Sequence, residues 1–303
     1  MQRKKFIEHV SWTGLGIVWA VGSNGLFTAC SVGEQTAQTP SKASPLSFVQ
    51  ISDTHIGFKK PANEHVTDTM QKTIAAINAL ATPPAFVVHT GDITHLSKPE
   101  EFDLAKQLMS QLKVPLFTLA GEHDTIGDRG TTYAAAFKPK DVKEGLQIWN
   151  QAGIHFLAVT NVLDFAASGK GVLGQAQLDL LTKDLTAQKQ DTPIVIFSHL
   201  PLYDLYPQWG WATADSAKLL SLLSRFASVT VLSGHIHQVV RHQEGNIQFH
   251  TAASTAFPLP TPGNGEHPIP VKLPETSLLK EIGFHSIDLI PGKATKISHR
   301  PLG

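Results

Sequence analysis

Five short apolar runs, each closed at once by a cluster of polar residues, constrain this chain more than any other feature. Leu46–Ser52 runs into Asp53-Thr54-His55, Ala85–Val88 leads to Gly91-Asp92, and Val114–Leu119 leads to Gly121-Glu122-His123-Asp124. Pro193–Phe197 then gives way to Ser198-His199, and Val229–Leu232 to Gly234-His235-Ile236-His237. Apolar runs of this length, bounded by turn residues, read as buried strands. Between them Glu64–Leu80, Glu100–Leu112, Gln175–Ala187 and Ala214–Ser224 carry helical apolar spacing, as at Ile74, Ile77 and Leu80. Strands alternating with helices give an α/β fold. Gln147–Asn150 and Ile154–Val159 are expected to pair around Gly153. Gln238–Gln243 and Ile247–Thr251 flank Gly245-Asn246, a strong hairpin signal that makes the sheet mixed. A length of 303 residues alone suggests about two domains. The polar clusters nevertheless recur across the whole body and need one another, so a single domain over 46–303 is expected.

In open α/β sheets, sites assemble in the loops beyond the carboxyl ends of strands. One such cluster is an ordinary capped turn; five in order, each closing a strand, point to a shared site. Cys30 is the single cysteine, which excludes a disulfide framework and every multi-cysteine zinc or iron–sulfur site. Any metal must therefore be held by His, Asp, Glu or Asn, and the chain has 15 histidines to draw on. Hard carboxylates combined with imidazoles suit iron, manganese or zinc. Lys+Arg and Asp+Glu both number 25, so no basic surplus exists to neutralise a nucleic-acid backbone, and stable nucleic-acid binding is not expected.

Taken as a set, the motifs D-x-H, G-D, G-E-H-D, H and G-H-x-H resemble those of the calcineurin-like metallophosphoesterase superfamily over roughly residues 46–255. Phe86–Thr90 before Gly91-Asp92, and Ser198-His199-Leu200-Pro201, are most similar to its bacterial cyclic-nucleotide phosphodiesterase branch. The resemblance implies a four-layer sandwich of two mixed β-sheets flanked by helices. It implies two metal ions, one held by Asp53, His55 and His237, the other by Glu122, His199 and His235, with Asp92 bridging. It makes His123 the catalytic histidine beside the leaving group, oriented by Asp124. The implied activity is hydrolysis of a small phosphodiester or phosphomonoester by metal-bound hydroxide. That chemistry wants two cations about 3.5–4 Å apart to neutralise the anionic ester and align an in-line displacement. A leaving alkoxide needs a proton, and a histidine with a pKa near 6.5 suits that task.

Two positions depart from the family pattern. Glu122 stands where the family has a metal-binding Asn, and His95, three residues after Asp92, stands where purple acid phosphatases have a ligand Tyr. Glu122 opens a second reading, a non-catalytic exported metal- or phosphate-binding protein in which this carboxylate fills a coordination position. His95 and Arg129 are candidate substrate contacts. His65, His89, His155, His242, His250, His285 and His299 are read as core or surface residues. Residues 258–274 hold six prolines and form an extended loop, either a simple surface loop or a cover over the cleft that carries His267.

Residues 1–30 read as an export signal: a charged start at Arg3, Lys4 and Lys5, a weakly apolar run from Trp12 to Phe27, and a small-residue exit at Thr28-Ala29-Cys30. Arg3-Lys4-Lys5-Phe6-Ile7 resembles the twin-arginine export motif, with Lys4 in place of the second arginine. Phe27-Thr28-Ala29-Cys30 resembles a lipoprotein cleavage box, which makes Cys30 a lipidated N-terminus at the periplasmic or extracytoplasmic membrane face. A soluble secreted form and a retained anchor are the alternatives. Residues 31–45 are small, polar and proline-punctuated, the composition of a linker.

Overall fold

The computed structural model describes residues 18–21, 27–30, 44–137, 142–290 and 293–303. The chain divides into two units, Met1–Ser41 and Lys42–Gly303. In the first, β1 (Val18–Val21) pairs antiparallel with β2 (Phe27–Cys30). The charged start at Arg3, Lys4 and Lys5 and most of the expected linker lie outside the described residues. Among the described residues no helix is long and apolar enough to cross a membrane.

In the second unit, β3 (Leu46–Ile51) is buried on both faces, with Phe48 and Gln50 on one and Val49 and Ile51 on the other. A strand of this kind needs cover on both sides, and the following elements supply it. After α1 (Val66–Asn78), β4 (Val87–His89), α2 (Pro99–Met109) and β5 (Leu116–Thr118), the chain turns through α3 (Thr131–Phe137). There follow β6 (Leu146–Gln151), β7 (Ile154–Val159), α4 (Gln175–Ala187), β8 (Ile194–Ser198), α5 (Ala217–Leu223) and β9 (Val229–Ser233). The hairpin β10 (Arg241–Glu244) and β11 (Ile247–Thr251), then α6 (Glu275–Glu281), β12 (Gly283–Leu289) and β13 (Lys296–Pro301), complete the chain.

Two mixed sheets result. One has the order β13-β12-β3-β4-β5, the other β10-β11-β9-β8-β7-β6. Strands β3, β4 and β5 run parallel to one another, as do β7, β8, β9 and β11. The outer face of the first sheet, with Val49, Ile51 and Val87, packs on Met70, Ile74 and Ile77 of α1 and on Phe102, Ala105 and Leu108 of α2. The second sheet covers its outer face with Leu178, Leu181 and Leu185 of α4 and Leu219 and Leu223 of α5. Between the sheets Phe48 stacks on Phe86 at 4.7 Å and meets the edges of Phe156 and Phe197. This is the expected four-layer α/β sandwich, with three apolar cores buried between its two sheets and two layers of helices.

The five apolar runs and both hairpins form where the sequence places them, Gly245 closing the second hairpin at φ 56°. Strands β12 and β13 and helices α3 and α6 were not expected. The histidines read as core or surface fall in those classes. His89 lies buried 3.0 Å from the Thr54 hydroxyl, His155 is paired with Asp184 at 2.7 Å, and His65 and His242 are exposed.

Candidate metal centre

Parallel strands deliver their carboxyl ends to the same edge of a sheet, so the loops after β3, β4 and β5 meet those after β8 and β9. Backbone bonds lock the loops together: Asp53 N–H donates to Gly91 O, His55 N–H to Asp92 O, and Gly234 N–H to His199 O, each at 3.0 Å. Asp53, His55, Asp92, His235 and His237 all have positive φ, between 41° and 70°. A left-handed backbone at non-glycine residues is sparsely populated and costs about 1–3 kcal/mol at each. Five such residues in one cluster mark a place where the surrounding fold overrides local preference. Gly91 and Gly121 permit the close approach. A Cβ on Gly91 would meet His199 Nδ1, and one on Gly121 would meet the Asp92 carboxylate.

The side chains converge as two donor sets. Asp53, His55 and His237 form one, with His55 Nε2 3.2 Å from His237 Nε2 and His237 Nε2 3.4 Å from Asp53 Oδ1. Glu122, His199 and His235 form the other, with Glu122 Oε2 2.7 Å from His199 Nε2 and Oε1 2.8 Å from His235 Nδ1. Asp92 sits between them: its Oδ2 is 3.6 Å from His55 Nε2 and 3.5 Å from His199 Nε2. All seven side chains that the sequence nominated as ligands are therefore together, and Asp53, His55, Asp92, His199 and His237 are buried.

The donor atoms fit cations better than they fit one another. Glu122 Oε2, His199 Nε2 and His235 Nδ1 are buried and satisfy no hydrogen-bond geometry despite their short separations. Lone pairs that converge on a common point, and not on each other, are what a shared ion requires. The other ring nitrogens are spent on backbone. His199 Nδ1 donates to Thr90 O and His237 Nδ1 to Phe257 O, both at 2.7 Å, which leaves each Nε2 as the ligating atom. Charge follows the same pattern. Burial alone would raise the Glu122 carboxyl, but His235 and His199 hold it well below its ordinary value. Burial would lower His199, but Asp92 and Glu122 raise it well above its own.

His123 lines the cleft, and its Nδ1 donates to the backbone carbonyl of His95 at 2.7 Å. Its ring stacks on that of His95, centroids 5.0 Å apart and planes within 16°. The orienting group is thus the His95 carbonyl, whereas the sequence pointed to Asp124. The Asp124 carboxylate is fully buried and accepts from the N–H groups of Gly121, Ile93 and Thr94 and from the Thr94 hydroxyl. A carboxylate without solvent goes to the nearest donors, and here these are the backbone of the two loops carrying Asp92 and His123. Burial and the Asp92 charge push it up to about 6. Arg129 also departs from expectation: its guanidinium forms a bidentate pair with Asp164 at 2.9 and 3.1 Å, exposed and outside the cleft lining. His95 does line the cleft, its Nδ1 3.4 Å from His55 Nδ1. The proline-rich loop contributes Leu259, Pro268, Ile269, Pro270 and Lys272 to the cleft wall, while His267 is exposed and outside the lining. Phe58, Lys60 and Trp211 complete that wall from other segments, without any spacing signal in the sequence that marks them.

Comparison with known proteins agrees with this geometry. Residues 46–239 match the family described as calcineurin-like phosphoesterase. A probable cyclic nucleotide phosphodiesterase of Rhodopseudomonas palustris is 24% identical over 245 residues, covering 74% of this chain and 86% of its own length. A probable glycerophosphodiester phosphodiesterase of Arcobacter nitrofigilis is 28% identical over 221 residues, 68% of this chain and 77% of the relative. Among solved structures, a dimetal phosphatase from Danio rerio superposes with a TM-score of 0.62 at 14% identity, covering 85% of this chain and 96% of that one.

Proposed function

The chain belongs to the calcineurin-like phosphoesterase family, and from that premise we propose that it hydrolyses a phosphodiester at a centre of two cations held by seven side chains. It is a metal-dependent phosphoric ester hydrolase. The observation that carries the finer reading is the position of Asp92 Oδ2, equidistant within 0.1 Å from His55 Nε2 and His199 Nε2, at 3.6 and 3.5 Å. Asp53, His55 and His237 would hold one cation, Glu122, His199 and His235 the other, and Asp92 both. A set of carboxylates and imidazoles suits iron, manganese or zinc. Bound there, two such ions supply positive charge that offsets the anionic ester and makes water more acidic.

The protein's own groups do the rest. Thr90 O and Phe257 O fix the tautomers of His199 and His237. Asp92 Oδ1 accepts the His123 N–H at 2.9 Å, so the residue that joins the two donor sets also positions the candidate acid. With Nδ1 tied to His95 O, His123 keeps Nε2 to hold a proton for the leaving oxygen. The diester assignment is supported by the names of two relatives, a cyclic nucleotide and a glycerophosphodiester phosphodiesterase. Glu122 reaches both His199 and His235 and is not swung aside.

One assay series tests this reading and the place of Glu122 in it. Manganese-, iron- and zinc-loaded protein is given bis(4-nitrophenyl) phosphate and 4-nitrophenyl phosphate, and kcat/KM is expected to be higher for the diester. Preference for the monoester overturns the diester assignment, and no turnover of either favours the binding-protein reading. Glu122→Asn is expected to keep both cations. One negative charge fewer beside the centre stabilises hydroxide there, so the acid limb of the pH–rate profile moves down by about one pH unit. An unchanged profile and unchanged cation affinity would exclude Glu122 as a ligand.

The same proposal places the enzyme outside the cytoplasm, cleaved before Cys30 and lipidated there, as the Arg3 to Cys30 pattern suggests. Intact mass of the membrane-fractionated protein should start at a diacylated Cys30, and Cys30→Ala should release it from the membrane. A cytosolic protein that retains Met1–Ala29 rules this out.

A further inference from the structure

Beyond the donor side chains the cleft continues into an outer half that hydrolysis as such does not need. It encloses about 430 Å³ in all, within the range of sites that bind whole small molecules. Away from the donor side chains its wall is apolar, built from Leu259, Pro268, Ile269 and Pro270, while the rings of Phe58 and Trp211 are buried. Among the described residues that line the cleft, the carboxylates are Asp92 and Glu122 alone, both in the donor sets, and the ammonium groups are Lys60 and Lys272. Past the centre, therefore, the cleft offers apolar surface and positive charge with no acid to compensate.

The wall is built in advance. Ile269 is 69% exposed, an apolar side chain without cover, and its neighbours Pro268 and Pro270 have fixed φ. The loop lacks regular structure but is tied at several points. Gln238, next to His237, donates from Nε2 to Leu259 O at 3.0 Å and to Pro260 O at 2.5 Å. Trp209 Nε1 donates to Glu266 O, and Val271 N–H to Pro258 O, each at 3.0 Å. A surface already ordered adds affinity without the entropy cost of ordering it on binding. An apolar wall favours an apolar partner, and ammonium groups at the mouth favour an anion.

We propose that this outer half selects the substrate, taking phosphodiesters whose second substituent is apolar and bears a further negative charge. The substituent packs on Leu259 and Ile269, and its charge pairs with Lys60 and Lys272. The inference rests on the phosphodiesterase reading above.

Three diesters that share the 4-nitrophenolate leaving group and differ only in the other substituent, methyl, phenyl or 3-carboxyphenyl, test it on the metal-loaded full chain. The kcat/KM is expected to rise about tenfold from methyl to phenyl, and severalfold again to 3-carboxyphenyl, the second step shrinking in high salt. Ile269→Ser should lower the phenyl-to-methyl ratio severalfold. Lys60→Met with Lys272→Met should bring the carboxyphenyl-to-phenyl ratio to about one, while Lys189→Met with Lys218→Met, an equal loss of two charges outside the cleft, leaves both ratios in place. Equal rates on all three diesters remove the selection and leave the phosphodiesterase reading standing. An equal loss on all three in the double lysine variant also overturns it, because the lysines then serve the scissile phosphate. No hydrolysis of any diester by the loaded wild-type protein takes both readings down.

Discussion

Asp92→Asn is expected to leave a folded protein that holds less than one cation per chain and has almost no hydrolytic activity. Asp92 Oδ2 faces both donor sets, 3.6 Å from His55 Nε2 and 3.5 Å from His199 Nε2, so a single carboxylate offsets the repulsion between two cations. Removing one partner from a buried charged set costs about 3–5 kcal/mol, on the order of 10²–10⁴-fold in affinity. The loss falls on both ions because the residue serves both. The substitution is unusually clean for the fold. Asp92 has φ 54°, a conformation asparagine tolerates better than most residues. The amide oxygen can still accept the His123 N–H that Asp92 Oδ1 accepts at 2.9 Å. Elemental analysis after dialysis, with the thermal transition measured alongside, reads the outcome. Two ions per chain in the folded variant would show that Asp92 does not join the sites.

The parts of the molecule legible in the sequence are those where burial acts on both faces or where a strand stops. Strands β3, β8 and β9 lie inside sheets covered twice, so their residues are apolar without alternation and stand out as runs. Each run ends in a polar cluster because the loop that follows is the site. Strands β12 and β13 were not visible for the opposite reason. They close an antiparallel flank and place His285 and His299 among the inward residues, which breaks the apolar pattern that announces a strand. Helices α3 and α6 are short and carry few large apolar residues, Tyr133 and Phe137 in one and Leu278 and Leu279 in the other, too few for a periodic signal, whereas the equally short α5 has Leu219, Leu220, Leu222 and Leu223.

At the centre the same limit separates what side-chain type can reveal from what only packing decides. The family resemblance nominated the seven donors, but spacing carries no information on where a buried carboxylate finds its donors. Asp124 follows His123 in the chain, yet its oxygens turn to the N–H groups of Ile93, Thr94 and Gly121 and fix the loop of Asp92 against its own. Arg129 lies close in sequence to His123 and is taken by Asp164, 35 positions away. The cleft draws Phe58, Lys60, Trp211 and Lys272 from three separate loops, a convergence no local motif records. The positive φ values at Asp53, His55, Asp92, His235 and His237 are likewise invisible in a sequence, because glycine, the usual mark of that conformation, is absent at those five positions.

His123→Ala is expected to retain both cations and to separate substrates by their leaving groups. The His123 ring is held by the bond from Nδ1 to His95 O and by stacking on the His95 ring, so Nε2 is the nitrogen that holds the transferable proton. Burial would lower the imidazolium, but the Asp92 and Glu122 charges raise it above its ordinary value, which favours the protonated ring. An alkoxide departs only with such a proton, whereas 4-nitrophenolate departs without one. The loss should therefore be about 10²–10⁴-fold for an alkyl diester and within about tenfold for the nitrophenyl ester. The sign of the pH effect follows. A general acid must be protonated to act, so the wild-type rate on the alkyl diester falls as pH rises through the His123 pKa, above 6.5, and in the variant this basic limb disappears. The nitrophenyl ester should show no such limb in either protein. Equal losses on both substrates, with the limb intact, would leave His123 as a contact to the phosphate and move the proton donor elsewhere, the adjacent His95 being the next imidazole in the cleft.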